Sequence, residues 1–432
     1  MAAKLQPYSK YKPISYDYVS KLPDDWQLLP NIAIFDERKE KGTENEETLS
    51  ISAIRGIVKS SDYENRKDRT SDDKSQYLLV KDGDLAYNTM LMWDGAIGHS
   101  SFRGIVSPAY TVLKAKIKIN PKYFHYQMRT NFYMNYSKRF SYGIVDARLR
   151  LYYVKFKRMY SIVPPLEVQN SIVAYLDKKN SEIDKFIRNK ERMIELLLQK
   201  KDQIIKKFVT KGINPFTLFK EVKIDWVKSI PQHWEVRPFN MVFSENKIKN
   251  DFKEDYSVLS LSYGKIIYKN HDSNFGLVPQ NYDSYQIILP DSIVFRFTDL
   301  QNDHKSLRVG LARKKGIITS AYLCVRKKSK LNLSIEYAYL LLHSYDIDKV
   351  FYQFGGGVRQ AIGYIDIRRI PIIIPPLEEQ IAIVTEVTNQ TYKIDKLILE
   401  SQKKIVSIKE YREALITDLV TGKRSVPQMQ MR

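Results

Sequence analysis

The sequence predicts a mixed α/β (α+β) fold: two similar bodies with β-rich cores, each followed by a long helix, related by a pseudo-twofold. Three observations predict it. A helical segment returns without a gap about half a chain later, shorter motifs return more loosely on either side of it, and the remaining sequence is rich in β-branched and aromatic runs broken by turns. The reading divides the chain into a first body (1–163), a helix (164–212), a second body (213–374) and a second helix with a tail (375–432).

The helices repeat most plainly. "IVPPLEVQNSIV" (Ile162–Val173) returns as "IIPPLEEQIAIV" (Ile373–Val384), 373 − 162 = 211 positions later. The register holds from Pro164–Thr210 to Pro375–Thr421. Paired prolines suit a helix start, because proline fixes φ and lacks an N–H where none is needed. Gly212 and Gly422 suit helix ends. Between these limits apolar residues recur every three or four positions: Ile183, Ile187, Ile194, Leu197, Ile204 and Phe208, then Ile394, Ile398, Ile405, Ile408, Leu415 and Leu419. This is the spacing of a coiled-coil seam. Lys190, Lys201, Ser401 and Arg412 interrupt it at corresponding points. About 45 residues at 1.5 Å each make a rod of roughly 65 Å, and the two are expected to pack together as spacers of equal length.

The bodies repeat with a drifting offset. "DYVSKLPDDW" (Asp17–Trp26) matches "DWVKSIPQHW" (Asp225–Trp234), "GIVSPAYTVLK" (Gly104–Lys114) matches "GIITSAYLCVR" (Gly316–Arg326), and "PKYFHYQ" matches "IEYAYLL". The drift places small insertions in the bodies, while the helices stay in step. "YQIILPDSIVFRF" and "AYTVLKAKIKI" read as strands, and "TKGINPFTLF" as the link between the halves.

At 432 residues the chain is too long for one domain by the usual measure, and its 43% hydrophobic content suffices for sizeable cores. Lys and Arg exceed Asp and Glu, 70 to 49, for a net charge of +21. Such an excess points to a polyanionic partner, nucleic acid before membrane; an AT-rich genome would also enrich lysine. The N-terminus carries no apolar signal core, and the longest apolar run, Ile370–Leu377, is too short to span a bilayer. The single cysteine, Cys324, fits a reducing cytoplasm and reads as a buried strand residue. A cytoplasmic protein without a membrane segment is expected.

Catalytic patterns are weak. No histidine spacing suits a metal, and neither a nucleophile elbow nor a Walker loop is present. "FGGGVRQ" (Phe354–Gln360) reads either as a phosphate cradle or as a tight loop. Pro23-Asp24 followed by Glu37 and Lys39 imitates a metal-dependent nuclease pattern, in which two carboxylates hold Mg²⁺. The second copy keeps Glu245 and Lys247 but has Gln232 for Asp24, so the chain reads as non-catalytic. Basic residues beside aromatics and glycines are the candidates for DNA contact: Trp93, Arg103, Lys138, Arg139, Arg148 and Arg150, then Arg296, Lys305, Arg308, Arg359 and Gln360. Arginine can fork onto guanine and glutamine onto adenine, whereas lysine on phosphate adds affinity without sequence preference. Two unlike bodies on a fixed spacer would read two half-sites across an unread gap.

The paired "PPLEVQ" and "PPLEEQ", the body openings "YDYVSKLPDDW" and "IDWVKSIPQHW", the "GIVSPAY" and "GIITSAY" segments and the helix ends "FVTKG" and "LVTGK" resemble the specificity subunits of type I restriction-modification enzymes over nearly the whole chain. The resemblance implies two target recognition domains separated by two antiparallel helices. It implies double-stranded DNA as ligand, and as partners two methyltransferase subunits and two motor-nuclease subunits. S-adenosylmethionine, ATP and Mg²⁺ would reside in those partners, with no cofactor in this chain. Pro164, Pro165, Leu166, Glu167 and Gln169, with Pro375, Pro376, Leu377, Glu378 and Gln380, then take a structural and docking role. Val168 against Glu379, and Tyr18 against Trp226, are the small departures between copies. A subunit of a methylation-only or differently organised restriction system, a self-contained nuclease and a basic scaffold without sequence preference are the alternatives.

Overall fold

A computed structural model describes residues 5–16, 18–53, 55–62, 73–143, 149–250, 257–269, 282, 284–298, 300, 303, 306–354 and 362–427. The chain divides into two compact units. One comprises Met1–Lys190 with Gln402–Arg432, the other Glu191–Ser401. Each unit thus holds one body, part of the helix that follows it and part of the other long helix. The helices run Leu166–Lys211 and Leu377–Val420.

The two bodies share one topology. The first has a four-stranded antiparallel sheet in the order Phe35–Arg38, Tyr110–Ala115, Leu85–Asn88, Ile97–His99. The second has Phe243–Glu245, Leu323–Lys327, Ile293–Phe295, Val309–Leu311 in the same order. Each opens on a hairpin, Tyr11–Tyr16 with Val19–Pro23 or Phe219–Ile224 with Val227–Pro231. Both hairpins carry an irregularity at the matching place, between Pro13 and Tyr16 and between Glu221 and Ile224. Each adds a second hairpin, Leu49–Ser52 with Gly56–Lys59 or Leu259–Ser262 with Lys265–Tyr268. The strand before each long helix, Tyr160–Val163 or Pro371–Ile374, pairs back onto Gln27–Pro30 or Glu235–Pro238. The expected β-rich bodies are therefore present, and Cys324 is buried in the strand Leu323–Lys327, where burial pushes its thiol up to about 12.

Within each unit the two helix segments run antiparallel. In the first, Ile172, Val173 and Leu176 share a core with Leu415, Leu419 and Val420. In the second, Ile205, Phe208 and Val209 share one with Ile383 and Val387. Of the seam residues, Ile183, Ile187, Phe208, Ile394, Leu415 and Leu419 are buried, while Ile194, Leu197, Ile204, Ile398, Ile405 and Ile408 are half-buried. The interruptions have their own chemistry. Arg412 pairs with Asp184, and Lys201 pairs with Asp395 at 2.6 Å. These pairs are repeat mates, since 395 − 184 = 211 and 412 − 201 = 211. Ser401 is buried, and Lys190 lies over the Phe186 ring.

The repeated helix-start motif divides into an inward and an outward set. Pro164, Gln169, Pro375 and Gln380 are buried, whereas Pro165, Glu167, Pro376, Leu377 and Glu378 are exposed and Leu166 is half-buried. Glu167 and Glu378 sit in the first turn, where the N-terminal end of the helix dipole favours a carboxylate. Gln169 donates to the Pro164 carbonyl at 2.7 Å and accepts from the Asn120 N–H at 2.9 Å. Gln380 donates to the Pro375 carbonyl at 2.8 Å and accepts from the Ser334 N–H at 2.7 Å. Asn120 and Ser334 are the N-caps of the body helices Pro121–Gln127 and Ile335–Ile347. One glutamine in each unit thus fastens the start of a long helix to the start of a body helix. Replacing Gln169 or Gln380 with leucine leaves both groups unpaired, at about 1–3 kcal/mol for each. Chemical denaturation is expected to show that loss, with Gln169→Leu lowering the transition of the first unit and Gln380→Leu that of the second.

Candidate nucleic-acid interface

In the first body the sequence candidates gather in part. The short helical turn Met92–Asp94 carries Trp93, whose indole N–H donates to the Met90 carbonyl at 2.9 Å. Lys138, on the helix Asn131–Phe140, sits over the Trp93 ring with its ammonium 5.4 Å from the centroid. Arg139 follows on the same helix, 5.7 Å from the centroid of Tyr136. Next to this helix Tyr142 and Arg150 bridge through their backbones, and Lys155 covers the Tyr142 ring at 4.8 Å. Cations over aromatic faces keep their charge while their stems are held in place.

Arg150 lines a concavity of about 660 Å³ with Lys39, Met90, Tyr110 and Tyr152. Glu37 borders the same concavity and pairs with Lys39 at 3.4 Å. Asp24 is not among the lining residues; it lies in the turn after the first hairpin, where its carbonyl accepts from Lys12. The nuclease arrangement would need Asp24 and Glu37 on one metal, and among the described residues no group of three or more His, Cys, Asp or Glu could hold one. Arg103 stands apart, with its guanidinium on Glu46 at 2.8 Å.

In the second body one candidate must be corrected. Arg308 is fully buried and cannot reach a base. Its guanidinium donates to the carbonyls of Thr298 at 2.9 Å and Asp303 at 2.5 Å, and to the Tyr352 hydroxyl. Its backbone N–H and that of Val309 both donate to the buried Asp346 carboxylate. The residue therefore fastens the segment before the strand Val309–Leu311; proximity to glycine and aromatics did not separate that role from base contact. Arg296 is half-buried, with its N–H on the Arg308 carbonyl at 2.9 Å. Arg148, Lys305, Arg359, Gln360 and most of the glycine-rich loop lie outside the described residues.

The sequence reading missed the hairpin Leu259–Tyr268. Its turn exposes Tyr263, 74% accessible and at positive φ, just before Gly264, followed by Lys265. Tyr268 is exposed and carries Lys314 over its ring at 5.4 Å. The matching hairpin of the first body places Lys59 over Phe102 at 5.5 Å, with cation and ring exchanged between hairpin and loop. A "YGK" turn followed by the β-branched pair Ile266–Ile267 was the available signal.

No family model matches the chain. It is 26% identical over 325 residues to the "Putative type I restriction enzyme MjaX specificity subunit" of Methanocaldococcus jannaschii, spanning 71% of this chain and 69% of the relative. It is 25% identical over 379 residues to the "Type I restriction enzyme MjaVIII specificity subunit" of the same organism, spanning 82% and 81%. Its curated relatives are type I restriction-enzyme specificity subunits. The resemblance read from the repeated motifs is to the same family. A solved structure from work on "complex assembly" and "conformational transition of the type I R-M system" shares the fold, with a TM-score of 0.66 at 14% identity over 93% of this chain and 99% of that one. No helix among the described residues is long and apolar enough to cross a membrane.

Asp346 offers a test of the corrected role of Arg308. Burial pushes its carboxyl up from the ordinary range to about 6, against the opposing pull of the Arg308 N–H. A raised carboxylate keeps its proton in the folded state between pH about 4 and 6, where the unfolded chain has released it. Stability from this group is therefore greatest at low pH and falls as pH rises through that window, by on the order of 2–3 kcal/mol. Denaturation across pH should show this fall in the second unit and its loss in Asp346→Asn, while Arg308→Met should destabilise that unit at every pH.

Proposed function

We propose that this chain is the non-catalytic DNA-recognition subunit of a type I restriction-modification system, setting a bipartite, asymmetric target. The observation that supports this most is the repeat itself: two bodies of one topology, each with its own basic and aromatic surface, each pinned by the same buried glutamine to a long helix. Duplicated topology with different surface residues suits two different half-sites. The relatives named for specificity support the same reading.

Recognition of double-stranded DNA follows ordinary chemistry. Lysines held over rings, as Lys138 on Trp93 or Lys314 on Tyr268, supply phosphate contacts that fix the register. Exposed groups nearby, such as Arg139 on the helix and Tyr263 at its hairpin turn, are the proposed contacts to base edges. Two methyltransferase subunits, using S-adenosylmethionine, and two ATP- and Mg²⁺-dependent motor-nuclease subunits are the proposed partners, so this chain needs no cofactor. The exposed half of the helix-start motif and the helix surfaces are the docking region for the methyltransferases, in the cytoplasm.

The deciding experiment is a methylation map. Co-expression with the neighbouring methyltransferase subunit in an unmethylated host is expected to modify adenine within one split, asymmetric motif. Scattered methylation, or a stable complex that methylates nothing, would favour a scaffold. Exchange of residues 1–163 for another relative's body should alter one half of the motif only; alteration of both halves would sink the two-body reading.

A second expectation concerns affinity. Lys138→Glu with Arg139→Glu should weaken binding to the cognate duplex by at least about tenfold and reduce the salt slope by about 2. Titration at several salt concentrations checks this, and an unchanged slope would remove these two residues from the interface.

A further inference from the structure

The hairpin of the second body, Leu259–Ser262 with Lys265–Tyr268, ends in a two-residue turn that tyrosine does not suit. Ser262 pairs with Lys265, so Tyr263 and Gly264 form the turn, at φ of 45° and 76°. Left-handed φ at both positions matches the twist of a hairpin, and glycine, asparagine or aspartate take it at least cost. A side chain as bulky as tyrosine takes it only against the steric repulsion of its own Cβ. Its packing does not compensate: Tyr263 is 74% accessible and makes no hydrogen bond or ring contact among the described residues.

The turn that carries this ring is held firmly. The Tyr339 hydroxyl, on the helix Ile335–Ile347, donates to the Gly264 carbonyl at 3.3 Å, and an added Cβ at Gly264 would press on Leu307. Gly310 lets the hairpin lie flat on the strand Val309–Leu311, since a Cβ there would run into Leu261 and Ile266. The first body holds its own hairpin from the same place. Gly56, also left-handed at 75°, has His125 against it, and 339 − 125 = 214 is the offset that relates the two body helices. The turn there, residues 53–55, contains Arg55 and no ring. Around Tyr263 the charge is of one sign. Lys265, Lys269 and Lys314 are exposed, and the stretch from Leu259 to Lys269 contains no carboxylate.

We propose that Tyr263 is a wedge: its ring enters the base stack of bound duplex DNA at one step of the half-site that the second body reads and unstacks that step, while Lys265, Lys269 and Lys314 hold the flanking phosphates. This rests on the reading of the chain as a DNA-recognition subunit and goes beyond an edge contact, for which the hydroxyl would matter more than the ring. An aromatic ring projecting from a fixed turn has little freedom to lose on insertion, and stacking on a base offsets the base–base contact it breaks. Steps differ in how easily they open, pyrimidine–purine steps most of all. The wedge therefore adds sequence preference without touching a base edge.

The test uses the full chain in complex with its neighbouring methyltransferase subunit, and duplexes that carry the split motif with 2-aminopurine in place of one adenine at a time. The scan covers the A·T pairs of the half-site set by the second body and of its flanks, leaving out the methylated adenines. Binding of the wild type is expected to raise the fluorescence at one step, because an unstacked probe is no longer quenched by its neighbours. Tyr263→Phe should keep that rise. Tyr263→Gly should abolish it and weaken binding by roughly fivefold or more, with a melting transition at or above that of the wild type because the backbone strain is relieved. Tyr263→Asn, which also accepts left-handed φ, decides the matter should the glycine variant fail to fold. A bound wild type with no rise at any position, a rise that survives in Tyr263→Gly, or one lost in Tyr263→Phe would overturn the wedge and leave the recognition reading in place. Equal binding of the motif-bearing duplex and an unrelated one would overturn both.

Discussion

Each unit depends on satisfying the two long-helix ends that enter it. A helix leaves N–H groups unpaired at its start and carbonyls unpaired at its end, and burying either without a partner is costly. Here the end is closed by a buried tyrosine, and the start is tied to the body by a buried glutamine that bonds the proline carbonyl before the helix and an N–H of the body. Gln169 and Gln380 fasten the prolines that open the helices to the N-caps of the body helices. One turn further along those body helices, Tyr123 donates its hydroxyl to the Val420 carbonyl at 2.9 Å, and Tyr337 donates to Val209 at 3.3 Å and Ile373 at 3.2 Å. The short body helix is thus the fixed point at which one long helix begins and the other ends. The body's sheet, its opening hairpin and its surface loops are placed relative to that point.

Where the copies differ, chemistry shifts with them. Gly212 and Gly422 both adopt left-handed φ at helix ends, and an added Cβ would run into the Glu379 carboxylate beside Trp234 in one unit and the Pro23 ring beside Trp26 in the other. In the second unit Glu379 accepts from the Trp234 indole at 3.0 Å and from His233 at 2.8 Å. The first unit has Val168 in place of that glutamate, and the Trp26 indole N–H is buried with no partner among the described residues. Val168 instead packs against the core, and the Tyr8 ring meets Trp26 edge-on at 5.4 Å. One copy trades a hydrogen-bonded acceptor for apolar contact at the same junction. Both are workable because the tryptophan's large apolar surface supplies most of what it contributes.

The architecture was legible because it rests on patterns that repeat. Prolines at 164 and 375, a seam at 3–4 spacing and glycines past the helix ends each have a local physical meaning, and the second copy checks the first. The candidate DNA surface was legible only in part. Lys138 and Trp93 could be nominated as a basic residue and an aromatic, but their contact spans 138 − 93 = 45 residues and has no local signature. Arg308 shows the opposite failure: composition around it matched a surface loop, while Asp346, 38 residues on, makes it a buried tie. Charge at a turn reads as exposed unless the partner that buries it is known, and such partners are set by tertiary packing rather than by spacing.

That difference in legibility follows from the energetics. The junction consists of buried polar groups, each of which must be met or costs about 1–3 kcal/mol, so its residue types are constrained and recur in both copies. The candidate DNA surface consists of exposed cations resting on aromatic faces, worth about 0.5–1 kcal/mol each at an exposed site. These rest on the rings of Trp93, Tyr142 and Tyr268, whereas the junction is held by the hydrogen bonds of Gln169, Gln380, Tyr123 and Tyr337. Substitutions at sites with no shared partners combine nearly additively. A body of this design can therefore change its candidate DNA surface at little cost to its folding, while the glutamine and tyrosine that seat it on the helices stay chemically fixed.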